Sequence, residues 1–262
     1  MAGVIEHAHR PFRRYVALGD SFTEGVGDPD PTRPNGLRGW ADRVAEALAS
    51  QPGAEDFGYA NLAIRGRKLL PIIEEQLEPA LALRPDLVTI HAGANDVLRP
   101  RVDLDAMAAA YDTAVARLTA TGARVLLFTI FDPGSSRIYG PVRGRMAIFN
   151  EWAREIADRH GAALVDMWRM RDVDVATVMD SDRMHLNPAG HQHMAIAVLD
   201  ALGVPHALEP LPAAAVARSR REQVVENARW TREFLVPWVH RRLTGRSSGD
   251  SIDPKRPTLD PL

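Results

Sequence analysis

Five short apolar runs, separated by longer stretches in which apolar residues recur at helical spacing, constrain this chain more than any single residue does. The runs lie at 15–18, 59–62, 87–91, 124–130 and 163–166, and each has the length and composition of a strand buried on both faces. Helical spacing extends over 39–48, 67–83, 104–121, 143–160 and, after the last strand, 188–202. Each strand is thus followed by a crossover long enough to return the chain for parallel pairing. The punctuation agrees. Thr121-Gly122 and His160-Gly161 close two of the helices, glycine being the residue that most easily leaves a helix in the left-handed conformation. Asn187-Pro188 opens the last one, with asparagine capping free amides and proline in a first turn that needs no donor. The expected fold is α/β, a three-layer α/β/α sandwich around a five-stranded, mostly parallel sheet.

With 262 residues, 45% of them hydrophobic, the chain can bury a large core. A net charge of -2 leaves no bulk field that would select nucleic acid or an anionic membrane. The absence of cysteine excludes disulfides, thiolate catalysis and cysteine-ligated metals. The first ten residues carry an acidic residue and two histidines where a secretory leader needs an unbroken apolar core, and no window approaches a membrane span. A cytoplasmic protein is expected. No metal site is expected either, since neither H-E-x-x-H nor a spaced His/Asp triplet is present.

Chemistry gathers at the ends of the predicted strands. Gly19-Asp20-Ser21-Phe22-Thr23-Glu24-Gly25 follows the first run directly, so the glycines allow a tight turn that exposes the Ser21 hydroxyl. A hydroxyl is a poor nucleophile without a base within hydrogen-bond reach. His185 is the best base among nine histidines, because Asp182 stands three residues before it and can hold one ring nitrogen while the other faces Ser21. Asn95, in Gly93-Ala94-Asn95-Asp96 after the third run, offers an amide donor to a developing oxyanion; Gly66, after the second run, offers a backbone amide. Each has a plainer reading: Asp20 and Ser21 as helix caps, Asn95 and Gly66 as turn residues, Asp182 and His185 as a surface pair. No G-x-S-x-G is present, so the signal is not that of an α/β-hydrolase elbow. His91 follows a strand and can be buried near the site, whereas His160, His191 and His193 read as lying on helix surfaces.

Beyond about residue 205 the composition changes. Pro205, Pro210 and Pro212 form a stiff connection, after which 213–235 shows helical spacing with Val224, Ala228, Thr231, Leu235 and Trp238 on one stripe, and Pro237 breaks or restarts the helix. Residues 213–262 carry ten Lys/Arg against six Asp/Glu. The cluster Arg218, Arg220, Arg221, Arg229, Arg232, Arg241, Arg242 and Arg246 reads as a solvated helix face or, alternatively, as a surface for an anionic partner. The expected organisation is a domain over 1–204, a helical extension over 205–246 and an extended tail over 247–262 with little to bury.

The conjunction and order of the motif residues resemble the SGNH hydrolases of the GDSL esterase/lipase superfamily over roughly residues 14–200. Gly-Asp-Ser with Ser21 looks like that family's first block, Gly66 its second, Gly93-x-Asn95-Asp96 its third and Asp182-x-x-His185 its last. The first block reads Ser21-Phe22-Thr23 where Ser-Leu is usual. The resemblance implies a flavodoxin-like sandwich with Ser21 as nucleophile, His185 as base, Asp182 as its partner, and an oxyanion hole of the Ser21 amide, the Gly66 amide and the Asn95 side chain. It implies a carboxylic ester hydrolase working without a cofactor on a small-molecule ester, with short acyl groups on a polar alcohol, such as a carbohydrate O-acetyl or a lysophospholipid, as the expected class. Candidate lining segments are 26–39 and 131–144, where Arg137, Tyr139 and Arg143 either favour a polar or anionic acceptor or order the loop. The alternative function is a catalytically silent binding protein that docks an anionic partner through the basic C-terminal helix. Truncation after about residue 204 discriminates the two: a binding module loses its partner, whereas an esterase keeps turnover unless the helix caps the pocket. A nucleotide-binding flavodoxin-like protein would need a Gly-rich phosphate loop that the chain lacks.

Overall fold

The structure is a computed structural model that describes residues 11–134, 136, 139–171, 175–212, 220–244 and 247–262. All five expected strands form: β1 (Arg14–Leu18), β2 (Gly58–Asn61), β3 (Leu87–Ile90), β4 (Arg124–Phe128) and β5 (Ala163–Val165). They pair in parallel, Tyr15 standing opposite both Tyr59 and Leu87 in register. Five principal helices cover the two faces, α2 (Trp40–Ala49), α3 (Leu69–Ala82), α5 (Leu104–Thr119), α6 (Arg143–His160) and α8 (Pro188–Leu202), each close to its predicted span. Three four-residue helices, α1 (Ser21–Glu24), α4 (Ala94–Val97) and α7 (Val175–Val178), sit at strand ends and in loops, too short to show a period in the sequence.

Because side chains alternate along a strand, β1 feeds two cores. Val16 and Leu18 join the α3, α5 and α6 side with Ile72, Tyr111 and Phe149. Tyr15 and Ala17 join the α2 and α8 side with Trp40, Val44 and Val198. The result is the expected three-layer sandwich.

The sheet has six strands rather than five, in the order β5-β4-β3-β1-β2-β6. The additional strand, β6 (Arg256–Asp260), comes from the stretch read as an extended tail and runs antiparallel to β2, with Tyr59 opposite Asp260 and Asn61 opposite Arg256. Without it β2 would be an open edge with unpaired amides and carbonyls. Pro257 is tolerated because β6 is itself the edge and one of its sides needs no donor. The prolines that suggested an unpaired tail are therefore compatible with pairing on one side only.

The C-terminal helical region consists of α9 (Arg220–Trp230), a π turn over Thr231–Leu235, and α10 (Val236–Leu243) with Pro237 in its first turn. The expected stripe is covered only at its C-terminal end, where Leu235 and Trp238 line a pocket with Trp230, while Ala228 and Thr231 are exposed. Val224 is 68% exposed, whereas Trp230, outside the stripe, is 5% exposed. A π turn takes more residues per turn than an α-helix and so breaks the 3.6-residue phase from which the stripe was read. No helix among the described residues is long and apolar enough to cross a membrane.

Candidate active site

The turn between β1 and α1 presents Ser21 as the first residue of a helix. Asp20 is the cap, its Oδ1 accepting from the Phe22 amide at 3.1 Å, so Ser21 itself is not used for capping. The turn is held from behind. Gln76 accepts from the Gly19 amide at 2.8 Å and donates to the Gly19 carbonyl at 2.9 Å, while buried Asn61 donates to the Thr23 carbonyl at 2.9 Å. Among the described residues the Ser21 amide, one of the unpaired first-turn donors, gives no hydrogen bond within the protein.

His185 reaches Ser21 from the loop that precedes α8. The loop that carries it closes on itself, the Asp180 amide donating to the His185 carbonyl at 2.8 Å and the Arg183 amide to the Asp180 carbonyl at 2.9 Å. Asp182 uses both oxygens inward: Oδ1 accepts from the Met184 and His185 amides at 2.8 and 2.9 Å, and Oδ2 faces His185 Nδ1 at 2.5 Å. His185 Nε2 then lies 2.9 Å from Ser21 Oγ. A proton on Nδ1 shared with the carboxylate leaves the Nε2 lone pair for the serine hydroxyl. Burial alone would raise the Asp182 carboxyl, but hydrogen bonding to the His185 ring, its charge and the two amides hold it below the ordinary carboxylate range. Asp182 is thus an anion placed to orient and charge-balance an imidazole.

Asn95 enters from the end of β3. Gly93 turns the chain at φ 92°, where a side chain would run into the ring of Phe149, and this places Asn95 at the start of α4. Its Nδ2 donates to Asp20 Oδ2 at 3.0 Å and to the Arg67 carbonyl at 3.0 Å. Both amide hydrogens are therefore engaged within the protein, tying the first motif block to the second. Gly66 lies at the edge of that second block, in a loop fastened by Arg65. The Arg65 amide donates to Glu24 Oε2 at 2.8 Å and its guanidinium pairs with the same buried carboxylate. The Gly66 amide donates to no protein group among the described residues. Next to Asn95, Asp96 accepts from the Leu69 amide at 2.9 Å, and burial raises its carboxyl to about 6.

The structure brings Ser21, His185, Asp182, Asn95 and the Gly66 loop to one edge of the sheet, with His91 buried beside them as expected, its Nδ1 3.4 Å from Asp20 Oδ1. His91 is buried against Phe22, ring centroids 4.3 Å apart. His191 is not on a helix surface: it is fully buried, accepts from the Trp40 amide through Nδ1 at 3.1 Å and faces the Val26 carbonyl through Nε2 at 3.1 Å. Burial drives its pKa down to about 3, so it is a neutral strut between α8 and the nucleophile turn. Helical spacing missed it because α8 is buried on more than one face. Arg143 pairs with Asp132 at 2.7 Å and lies over Trp168, which favours its loop-ordering reading; Arg137 lies outside the described residues, as do Arg218 and Arg246. No group of three His, Asp or Glu side chains among the described residues is placed to hold a metal ion.

Sequence reasoning passed over Glu24, Arg65, Trp230 and Lys255. Glu24 and Arg65 meet across 41 residues, a separation without a local signal. Lys255 is one of only two lysines in the sequence, a rarity that singles it out without saying where it goes.

Comparison with known proteins agrees with this fold. LAE5, an alpha/beta hydrolase enzyme from the metagenome of Lake Arreo, Spain, is 26% identical and superposes with a TM-score of 0.61 over 74% of this chain and 97% of that one. Axe2, an acetylxylan esterase from Geobacillus stearothermophilus, is 22% identical over 74% of this chain and 95% of that one, with a TM-score of 0.59; at that identity the likeness concerns the fold. An uncharacterized protein of Bacillus subtilis, YpmR, is 29% identical over 87 residues, a match that spans 32% of its length. The profile of the GDSL-like Lipase/Acylhydrolase family matches residues 17–193, a span that contains all of the motif residues, and the chain belongs to that family.

Proposed function

We propose that this protein hydrolyses carboxylic esters through an acyl-enzyme on Ser21. The observation that carries the reading is the continuous line from Asp182 Oδ2 through His185 to Ser21 Oγ, with contacts of 2.5 and 2.9 Å. Ser21 Oγ attacks the acyl carbonyl carbon as His185 Nε2 takes its proton, and the C=O electron pair moves onto oxygen. Collapse of the tetrahedral species expels the alcohol, which receives the proton from Nε2. Water then attacks the acyl-serine with the same proton relay and releases the acid. Asp182 stabilises the imidazolium at both stages without becoming protonated.

The oxyanion is held by the Ser21 and Gly66 amides, which have no other acceptor within the described residues, and by Asn95. For Asn95 to donate, Nδ2 must turn one hydrogen away from Asp20 or the Arg67 carbonyl. The catalytic machinery in this reading lies within 1–204 and uses no cofactor. The substrate class we propose is a short acyl group on a polar alcohol, a carbohydrate O-acetyl or a lysophospholipid-like ester. Its acyl length follows from release of p-nitrophenol from acetyl through octanoyl esters. Turnover that disappears in Ser21→Ala, together with fluorophosphonate labelling of Ser21 in the unaltered protein, is the expected result. No turnover and no labelling of the unaltered protein would overturn the reading.

A further inference from the structure

The family match ends at residue 193, yet the chain from 220 onward touches three of the four motif blocks. The first contact is Trp230. It is the buried residue of a helix whose Val224 and Val225 are 68% and 63% exposed, and its indole N–H donates to the Asp182 carbonyl at 2.7 Å in a buried setting. The next residue, Arg183, is held in a left-handed backbone conformation, φ 58°, costly for any residue with a side chain. Its guanidinium lies 5.1 Å over the Trp230 ring and donates to Asn227 Oδ1 at 2.8 Å. The Met184 side chain then shares an apolar pocket with Trp230, Phe234 and Trp238. All three residues that precede His185 are therefore fastened to α9 and the π turn.

The second contact lies at the Gly66 loop. Ser247 stands so close to Gly66 that a side chain there would collide with its hydroxyl, and Gly249 packs against the Arg65 carbonyl and Ile64. The third is Lys255, whose ammonium is fully buried and donates to the Glu24 carbonyl at 2.7 Å and to Asp42 Oδ2 at 2.5 Å. Glu24 is the last residue of the short helix that begins with Ser21, so a cation sits on its buried C-terminal carbonyl end. Close by, Asn35 donates to the Asp253 carbonyl at 3.1 Å.

We infer that residues 220–262 are a clamp that sets His185 against Ser21, with Trp230 positioning the loop of the base and Lys255 positioning the helix of the nucleophile. The inference rests on the ester-hydrolase reading above. The Ser21–His185 contact joins residues 164 apart in sequence, carried on α1 and on the loop before α8, which no strand pairing connects. Its length thus depends on what holds each segment, and a misplacement of about 1 Å at a reacting pair costs on the order of 100-fold in rate.

The test uses the full-length protein with Trp230→Phe, which keeps an aromatic ring and removes the donor, and Lys255→Met, which keeps the stem and removes the ammonium. Three quantities are read per mole of folded protein: kcat and KM for p-nitrophenyl acetate, and the rate at which a fluorophosphonate labels Ser21, with the folded fraction taken from thermal melts. The expected result for Trp230→Phe is a fall of about 10-fold in kcat and a parallel fall in labelling rate, with KM within about twofold, because substrate contacts remain while the base is displaced. Lys255→Met should show the same split at a temperature where it is folded. Wild-type kcat and labelling rate in both variants, or losses that only track the folded fraction, would overturn the clamp. Failure of the unaltered protein to turn over or label is read before any variant is made, and it removes the ester-hydrolase reading itself.

Discussion

Two parts of this molecule build the same site by different means. Within residues 17–193 each functional residue sits at the end of its own strand or helix: Ser21 after β1, Asn95 after β3, His185 just before α8. Their placement follows from local structure, since a strand end and a glycine turn suffice to aim a side chain over the sheet edge. The segment 220–262 contributes single side chains, Trp230 and Lys255, that reach the other part through contacts spanning 48 and 231 residues. The comparison teaches that residues proposed to perform chemistry can be legible as motifs while residues that hold them in place are not.

Substitutions can sharpen or break this contrast. The largest effect expected is from Ser21→Ala, roughly 10⁶-fold in kcat by analogy with removal of a triad serine, measured as p-nitrophenol release. Asp182→Asn keeps the size of the side chain but favours the wrong imidazole tautomer, and about 10⁴-fold in kcat should be lost. Asn95→Ala should cost about 10²–10³-fold, the usual value of one oxyanion donor. A loss near tenfold instead would mean that its bonds to Asp20 and Arg67 are its main role.

In the C-terminal part the expected effects are on stability as well as rate. Lys255→Met leaves Asp42 buried beside no cation and should destabilise the fold by about 3 kcal/mol, read from denaturant unfolding. If stability is unchanged, β6 is not an integral strand and the contrast between the two parts fails. Val224→Ser, on the exposed face of the same helical region, should stay within about 0.5 kcal/mol. A larger loss there would show that the N-terminal part of the stripe read from spacing is covered as well.

Much of the fold was readable because it rests on local rules. Apolar runs flanked by glycine gave five strands, and the Asn187-Pro188 start gave α8 at its observed first helical residue. The candidate site was readable for the same reason, with one qualification in its chemistry: spacing offers Asn95 as a candidate donor but does not show that both of its hydrogens are already committed. His191 was misplaced because periodicity assigns one buried face to a helix, and α8 packs against both α2 and the nucleophile turn. The tail was misread because proline argues against a central strand and is silent about an edge.

By itself, then, the sequence determined the layered α/β architecture, the strand ends at which the candidate residues collect and which residues are proposed as nucleophile, base, acid and oxyanion donors. These depend on residue types and on spacings of a few positions, which propensity and hydrophobic period report directly. Only the tertiary structure decided that β2 is covered by a sixth strand, that Glu24 binds Arg65, that Lys255 sits beneath the nucleophile helix and that Trp230 grips the loop of the base. Each of those contacts joins residues from 41 to 231 positions apart. Each is also selected by the burial of a polar group that must find a partner, a requirement that exists only once the chain has closed around it.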